Sequence, residues 1–243
     1  MEPELELDIV GATYYPQDAH LHPGKLMDQL KALLQKRGVV FEYNSEVTGF
    51  EKKHDYITGV KCSGGDTWKA DIFIICSGVW STSLAGSVGT KLPMQAGKGY
   101  SITIRNPQVL PQNCGILAER KVTMTPMLGL LRFGGTMEIV GRDQTINPKK
   151  ISGLKKAVCE YLPQFEEKDL EGHDIWTGLR PISPDGLPFA GRIGGYKNLY
   201  TSTGHAMMGM SLAPSCGKLI SDLITNGKSP LGHPMLNPDR FGN

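Results

Sequence analysis

The residues best placed to do chemistry lie in the last third of the chain. The run Asn198-Leu199-Tyr200-Thr201-Ser202-Thr203-Gly204-His205-Ala206-Met207-Met208-Gly209-Met210-Ser211 passes from strand-like residues through glycines into a helical pattern. Leu212, Cys216, Leu219, Ile220, Leu223 and Ile224 share one face of that helix, and Asn226-Gly227 closes it. Ser211 is the expected N-cap and Pro214 falls in the first turn, so backbone N–H groups around Met210 to Leu212 should point outward with the positive end of the helix dipole behind them. A helix start of that kind attracts an anion. Other candidates are weaker. His20 and His22 have no evident third ligand, so no metal is expected, and Asp185-Gly186 reads as a turn rather than a catalytic group. Cys62, Cys76, Cys114, Cys159 and Cys216 are odd in number and lack CxxC spacing, which argues for reduced thiols. Gly97-Lys98-Gly99 has no third glycine and does not open a helix; no GxGxxG phosphate loop occurs anywhere in the chain.

The whole chain has 243 residues, 40% hydrophobic and 21% charged, enough for a real core in one large domain or two small ones. Net charge is +2 with the basic residues dispersed, which excludes a nucleic-acid groove. No apolar run approaches the ~18 residues of a membrane span, and Met1-Glu2-Pro3-Glu4 is not a secretory signal. The expectation is a cytoplasmic protein, with contact at the inner face of a membrane left open.

The elements that must position the glycine-rich turn are read in order. His22-Pro23 opens a helix with Leu26, Met27, Leu30, Leu33 and Leu34 on one face, and Gly38 stops it. Val39 to Tyr43 reads as a strand. Ile57 to Cys62, the Gly64-Gly65 turn and Asp66 to Lys69 read as a hairpin. The apolar run Asp71 to Cys76, closed by Ser77-Gly78, reads as a parallel strand buried on both faces. From Met94 to about Gly141 short β-rich runs (Tyr100 to Ile104, Lys121 to Met124, Leu130 to Phe133, Met137 to Val140) predict an antiparallel sheet. Asn147-Pro148 caps a helix whose face of Ile151, Leu154, Val158 and Tyr161 should cover that sheet. Strand and turn signals return around Trp176 to Gly191. The fold class is therefore α/β, or α+β overall: part of a doubly wound nucleotide-binding sheet plus an antiparallel substrate domain.

Five segments, in order, resemble the D-amino-acid oxidase superfamily of FAD-dependent oxidoreductases, and most specifically the small subunit of D-amino-acid dehydrogenase. They are Pro16-Gln17-Asp18-Ala19-His20-Leu21-His22-Pro23, Ala70-Asp71 to Gly78-Val79-Trp80, Gly97-Lys98-Gly99-Tyr100-Ser101, Phe133-Gly134-Gly135-Thr136-Met137-Glu138, and Gly178-Leu179-Arg180-Pro181-Ile182-Ser183-Pro184-Asp185-Gly186-Leu187-Pro188 with the Gly204 to Leu212 stretch. The family begins with a strand and helix bearing GxGxxG, which this sequence lacks, so Met1 is expected to be a truncation point or gene break rather than the native beginning. FAD binding by the chain alone is expected to be weak or absent.

The resemblance implies a set of roles. Arg180 would clamp the substrate carboxylate, a task that suits a planar guanidinium fork. Gly204, His205, Met208, Gly209, Met210 and Ser211 would line the isoalloxazine, Val47 would meet the adenine through its backbone, and Ser77 and Gly78 would let the main chain pass close to FAD. It implies the partition 1–17 substrate-domain edge, 18–88 FAD-binding, 89–177 antiparallel substrate domain and 178–243 returning to the FAD-binding domain. The implied activity is oxidation of the α-carbon–amine bond of a D-amino acid or related amine by hydride transfer to flavin. Glycine-type secondary amines, proline-like imino acids and opines stay open as substrates, because Ala206, Met207 and Met208 stand where the family often has small residues. Oxygen and quinone both stay open as acceptors. The alternative is a non-catalytic fragment or interaction subunit, which could self-associate through a sheet edge.

Overall fold

The computed structural model describes Glu2 to Gly242. In chain order its elements are helix α1 (Pro23–Lys36), strands β1 (Val47–Lys53), β2 (Tyr56–Cys62), β3 (Thr67–Trp68) and β4 (Phe73–Ile75), helix α2 (Ser81–Gly86), strands β5 (Gln95–Arg105), β6 (Gly115–Leu117), β7 (Val122–Met127) and β8 (Leu130–Ile139), helix α3 (Pro148–Tyr161), strands β9 (Asp174–Ile182), β10 (Phe189–Arg192) and β11 (Leu199–Thr203), and helix α4 (Gly209–Asn226). This is a mixed α/β chain. It forms two compact units, one made of Met1–Phe41, Lys98–Glu138 and Asp143–Gly178, the other of Glu42–Gly97, Ile139–Arg142 and Leu179–Asn243.

The first unit is built around the sheet of order β6-β7-β8-β5-β9, in which β6 pairs with β7 and β7 with β8 antiparallel. Along β8 side chains alternate between buried and part-exposed, as a sheet with one covered face requires. The cover is α3. Asn147 caps it by accepting from Lys149 N at 3.1 Å, and Ile151, Leu154, Val158 and Tyr161 are buried against Tyr100, Ile102, Leu131 and Phe133, as the periodicity predicts. Lys98 is buried in β5, and its ammonium donates to Asp143 Oδ2 at 2.9 Å and to Thr145 O at 2.8 Å. Helix α1 begins at Pro23, capped by His22, and ends before Gly38 at φ +84, again as expected. Its apolar face is not covered, however, and Met27, Leu30, Leu33 and Leu34 are all exposed.

The second unit contains two three-stranded sheets, β1-β2-β3 and β10-β11-β4. The expected hairpin is β2 and β3, turned at Gly65 with φ +90, and β1 extends it on the other side through an antiparallel pairing not foreseen in the sequence. In the other sheet β11 pairs antiparallel with β10 and parallel with β4. Asn198 ties the two sheets together. Its amide accepts from Ile57 N (2.9 Å) and donates to Ile57 O (2.8 Å) and Asp71 O (2.9 Å).

Two expectations are corrected. Val39 to Tyr43 is not a strand: the segment has no regular secondary structure, and Val39, Val40 and Tyr43 are exposed. The run Asp71 to Cys76 is not buried on both faces: only Phe73–Ile75 is strand, Phe73 and Ile75 point inward, and Ile72, Ile74 and Cys76 are exposed. β4 sits at the edge of its sheet, so only one face and one edge are covered.

Candidate active site

Parallel strands open a crevice beyond their carboxyl ends, where the chain turns away. In the second unit those ends are Ile75 on β4 and Thr203 on β11, and the residues that follow are Ser77-Gly78 and Gly204-His205. The two exits are joined through Thr203, whose hydroxyl donates to Gly78 O at 3.1 Å and takes a hydrogen bond from Ser81 Oγ at 3.3 Å; Ser81 Oγ in turn lies 3.1 Å from Ser77 Oγ. Gly78 has φ +55, and Gly204 has φ +76, a conformation in which side chains are strained. A Cβ at Gly204 would also lie 3.0 Å from Phe189 Cδ2 and 3.4 Å from Met94 Sδ. Only glycine fits there.

Beyond Gly204 the chain runs beside β9. Ala206 N donates to Pro181 O at 2.9 Å, and Ile182 and His205 form an antiparallel bridge. Side chains of paired residues lie on the same face, and Arg180, two residues before Ile182, shares it; diagonal neighbours of this kind sit about 7–8 Å apart. Both polar side chains are part-buried, and each has a buried atom without a hydrogen-bond partner among the described residues: Arg180 Nη1 and His205 Nε2. Burial pushes the pKa of both groups down, favouring neutral imidazole at His205. Two such atoms on one face suit a ligand that carries polar groups of its own.

Helix α4 begins immediately after. The expected N-cap at Ser211 is corrected: Met208 caps the helix without a side-chain hydrogen bond, and Ser211 is the third helical residue. Leu212 N makes the first helical bond, to Met208 O at 2.9 Å, so by geometry the N–H groups of Gly209, Met210 and Ser211 have no intrahelical acceptor. The donors therefore lie one residue earlier than expected. Cys216, Leu219 and Ile220 anchor the far side of α4, with Leu212 and Leu223 packed against them, and Gly227 ends it at φ +71. Met207, Met208 and Met210 are exposed around the turn.

The structure thus brings Ser77, Gly78, Gly204, His205, Met208, Gly209, Met210, Ser211 and Arg180 into one unit and links them by strand pairing or hydrogen bonds. Val47 is in the same unit but on β1, in the other sheet, paired with Cys62. Asp185-Gly186 is a turn, as expected: Gly186 has φ +75, Asp185 Oδ1 accepts from Leu187 N at 3.1 Å, and both carboxylate oxygens take bonds from Arg240. Residues the sequence did not single out include Thr203, which joins the two exits, and Phe189, which floors Gly204. An isolated threonine or a phenylalanine in a short strand gives no pattern to detect.

The model of the FAD dependent oxidoreductase (DAO) family matches residues 1–223 of this chain. The chain belongs to that family. A D-amino acid dehydrogenase of Helicobacter pylori is 33% identical over 226 residues, covering 93% of this chain and 54% of the relative. One from Xanthobacter autotrophicus is 34% identical over 215 residues, covering 88% and 49%. This member of the FAD dependent oxidoreductase family thus spans about half the length of the curated relatives it matches. Among solved structures, glycine oxidase from Bacillus cereus superposes with a TM-score of 0.81 at 27% identity, covering 94% of this chain and 63% of that one. L-proline dehydrogenase from P. horikoshii superposes with a TM-score of 0.77 at 22% identity, covering 90% and 59%, a likeness of fold. No helix among the described residues is long and apolar enough to cross a membrane.

Proposed function

We propose that this chain carries the substrate-carboxylate and isoalloxazine-facing part of an FAD-dependent dehydrogenase or oxidase that acts on the α-carbon–amine bond of a D-amino acid or related amine. The observation that carries this reading is the pair of buried, unpartnered polar atoms, Arg180 Nη1 and His205 Nε2, on strands tied by the Ala206 to Pro181 hydrogen bond. Their chemistry fits a carboxylate on one side and flavin carbonyl groups on the other, and Gly204 holds the turn between them in a conformation that a Cβ, pressed onto Phe189, would not allow. The functional partition that goes with it is 1–17, 18–88, 89–177 and 178–243.

Bound FAD would supply the acceptor for the hydride leaving the substrate α-carbon. The chain's own residues orient and stabilise. Arg180 holds the carboxylate through parallel charge-assisted bonds, which fixes the α-carbon in place. The N–H groups of Gly209, Met210 and Ser211, with the α4 dipole behind them, would offer donors to an anionic edge of the cofactor, as an oxyanion hole does. His205, kept neutral by burial, can donate or accept at Nε2 without adding charge. Ser77 and Gly78 give the main chain room for the cofactor, and Val47 would offer its backbone to the adenine.

The test is a titration of the purified chain with FAD, carried to high concentration and followed by the visible spectrum, and then anaerobic addition of a D-amino acid. A saturable spectral change followed by bleaching supports the reading. A spectrum identical to that of free FAD throughout removes autonomous FAD binding and favours the second reading, a part that does not hold FAD on its own. A second reading, that the span is a non-catalytic or interacting part, is favoured by the uncovered apolar face of α1. Light scattering distinguishes the two: self-association supports the second, whereas a stable monomer in dilute solution counts against it.

A further inference from the structure

After α4 the chain does not trail away but folds back across β10 as a strap, residues 229–242, that lies beyond the span matched by the family model. Its fit to β10 is close. A Cβ at Gly191 would come within 3.0 Å of Pro238 Cδ, and one at Gly194 would collide with Asp239, whose carboxylate accepts from Gly194 N at 2.8 Å. Leu236 packs against Ala190, Cys216 and Leu219.

Arg240 is the centre of this strap. Its Nε and Nη2 donate to the two Asp185 oxygens at 2.8 and 2.9 Å, Nη2 also to Leu187 O at 2.8 Å, and Nη1 to Pro188 O and Asn237 O at 3.2 and 3.3 Å. The guanidinium lies 3.9 Å from the centroid of the Phe189 ring, with Phe241 on it as well at 4.9 Å. Every donor of the fork is engaged, on a side chain that is 9% exposed. Surface ion pairs rarely matter, but a bidentate, stacked and shielded arginine is the exception.

What Arg240 grips is the connection between the two halves of the candidate site. The turn 183–188 is entered from the strand bearing Arg180 and left through Phe189, the fully buried ring beneath Gly204. We propose that Arg240 is a positioning residue that, by clamping Asp185 and pressing on Phe189, sets the placement of Arg180 relative to the Gly204–His205 turn. The inference rests on the ligand site proposed above, yet the placement can be tested without ligand.

The experiment compares wild type, Arg240→Ala and Arg240→Lys by amide hydrogen exchange and by NMR titration of the His205 imidazole. In Arg240→Ala, exchange across residues 204–208 should rise by about tenfold or more, while α3 amides in the first unit keep their protection. The His205 pKa should move back up toward that of a solvated imidazole. Arg240→Lys keeps a charge but cannot fork onto Asp185, so it should give an intermediate response; it also carries the test should the alanine variant not fold. A role limited to general stability would lower the unfolding midpoint yet leave the His205 pKa of the folded protein where it was, and that result overturns the proposal. Exchange changes confined to residues 183–189 and 237–242 would overturn it too. If FAD and carboxylates bind nowhere on the wild type while the Arg240 to His205 coupling is seen, the functional reading fails and the positioning role stands.

Discussion

Replacing Gly204 by alanine tests the turn on which the candidate site is built. The residue sits at φ +76, where an L side chain costs about 1–2 kcal/mol. The new methyl would also meet Phe189 Cδ2 at 3.0 Å and Met94 Sδ at 3.4 Å. The phenyl ring is fully buried and is pressed from Arg240 at 3.9 Å, so it has little room to retreat. Overpacking of this kind adds about 1–3 kcal/mol. Together these put Gly204→Ala at about 2–5 kcal/mol of lost stability, an unusually large effect for one methyl group. Urea unfolding, followed by circular dichroism with the slope held equal to wild type, should show the midpoint falling by roughly 1–2 M. Gly11→Ala is the control, because a Cβ there meets nothing within 4 Å and its φ is not positive. If Gly204→Ala unfolds within about 0.5 kcal/mol of wild type, the claim that backbone conformation and the Phe189 floor fix this turn is wrong.

Three further perturbations follow from the same geometry. Asn198→Ala would strand Ile57 N and Ile57 O in buried surroundings and remove the part-buried bond to Asp71 O, and at about 1–3 kcal/mol for a buried group left unsatisfied it should rank among the most destabilising single changes in the second unit; a denaturation midpoint near that of wild type would contradict this. The Arg240 guanidinium holds Asp185 down to about 2 from its ordinary 3.8, so this carboxylate adds stability that is complete above about pH 4 and is lost as pH falls toward 2. After allowance for solvent screening the contribution is about 1–2 kcal/mol, and Asp185→Asn should flatten that part of the acid unfolding curve. At His205 burial alone lowers the pKa, so the unfolded chain binds the proton more readily. Stability from this group is complete above its ordinary value of about 6.5 and declines as pH drops through it, and His205→Gln should remove that slope in urea midpoints measured across the range.

The fold was legible where local pattern and tertiary contact agree. Asn147-Pro148 with Ile151, Leu154, Val158 and Tyr161 spelled out α3 and its buried face, because capping and periodicity depend on neighbours in sequence. The closing glycines Gly38 and Gly227 were read for the same reason. Val39 to Tyr43 misled because β-type composition describes a residue's taste for a sheet and not whether the chain there is drawn into one. Asp71 to Cys76 does hold the expected parallel strand, Phe73–Ile75, but composition carries no sign that it lies at a sheet edge with one face open. The N-cap moved from Ser211 to Met208 because the bonds from Ala206 to Pro181 O and from Met208 to His205 O turn the chain into the helix early, a constraint set from β9. Resemblance pointed to both Arg180 and His205, and the bridge between Ile182 and His205 gives them a shared face. It could not reveal Arg240, whose partner Asp185 is 55 residues away, and the spacing of two opposite charges that far apart carries no signal.

The central claim is that Arg180 and His205 turn their unpartnered atoms to one ligand. Nitrogen NMR of both side chains during titration with a D-amino acid, FAD being present, tests it most directly. The account predicts that the two resonances shift together along one saturable curve and that Arg180→Ala abolishes the response at His205. Shifts at one residue without the other, or a His205 response unchanged by the loss of Arg180, would contradict it.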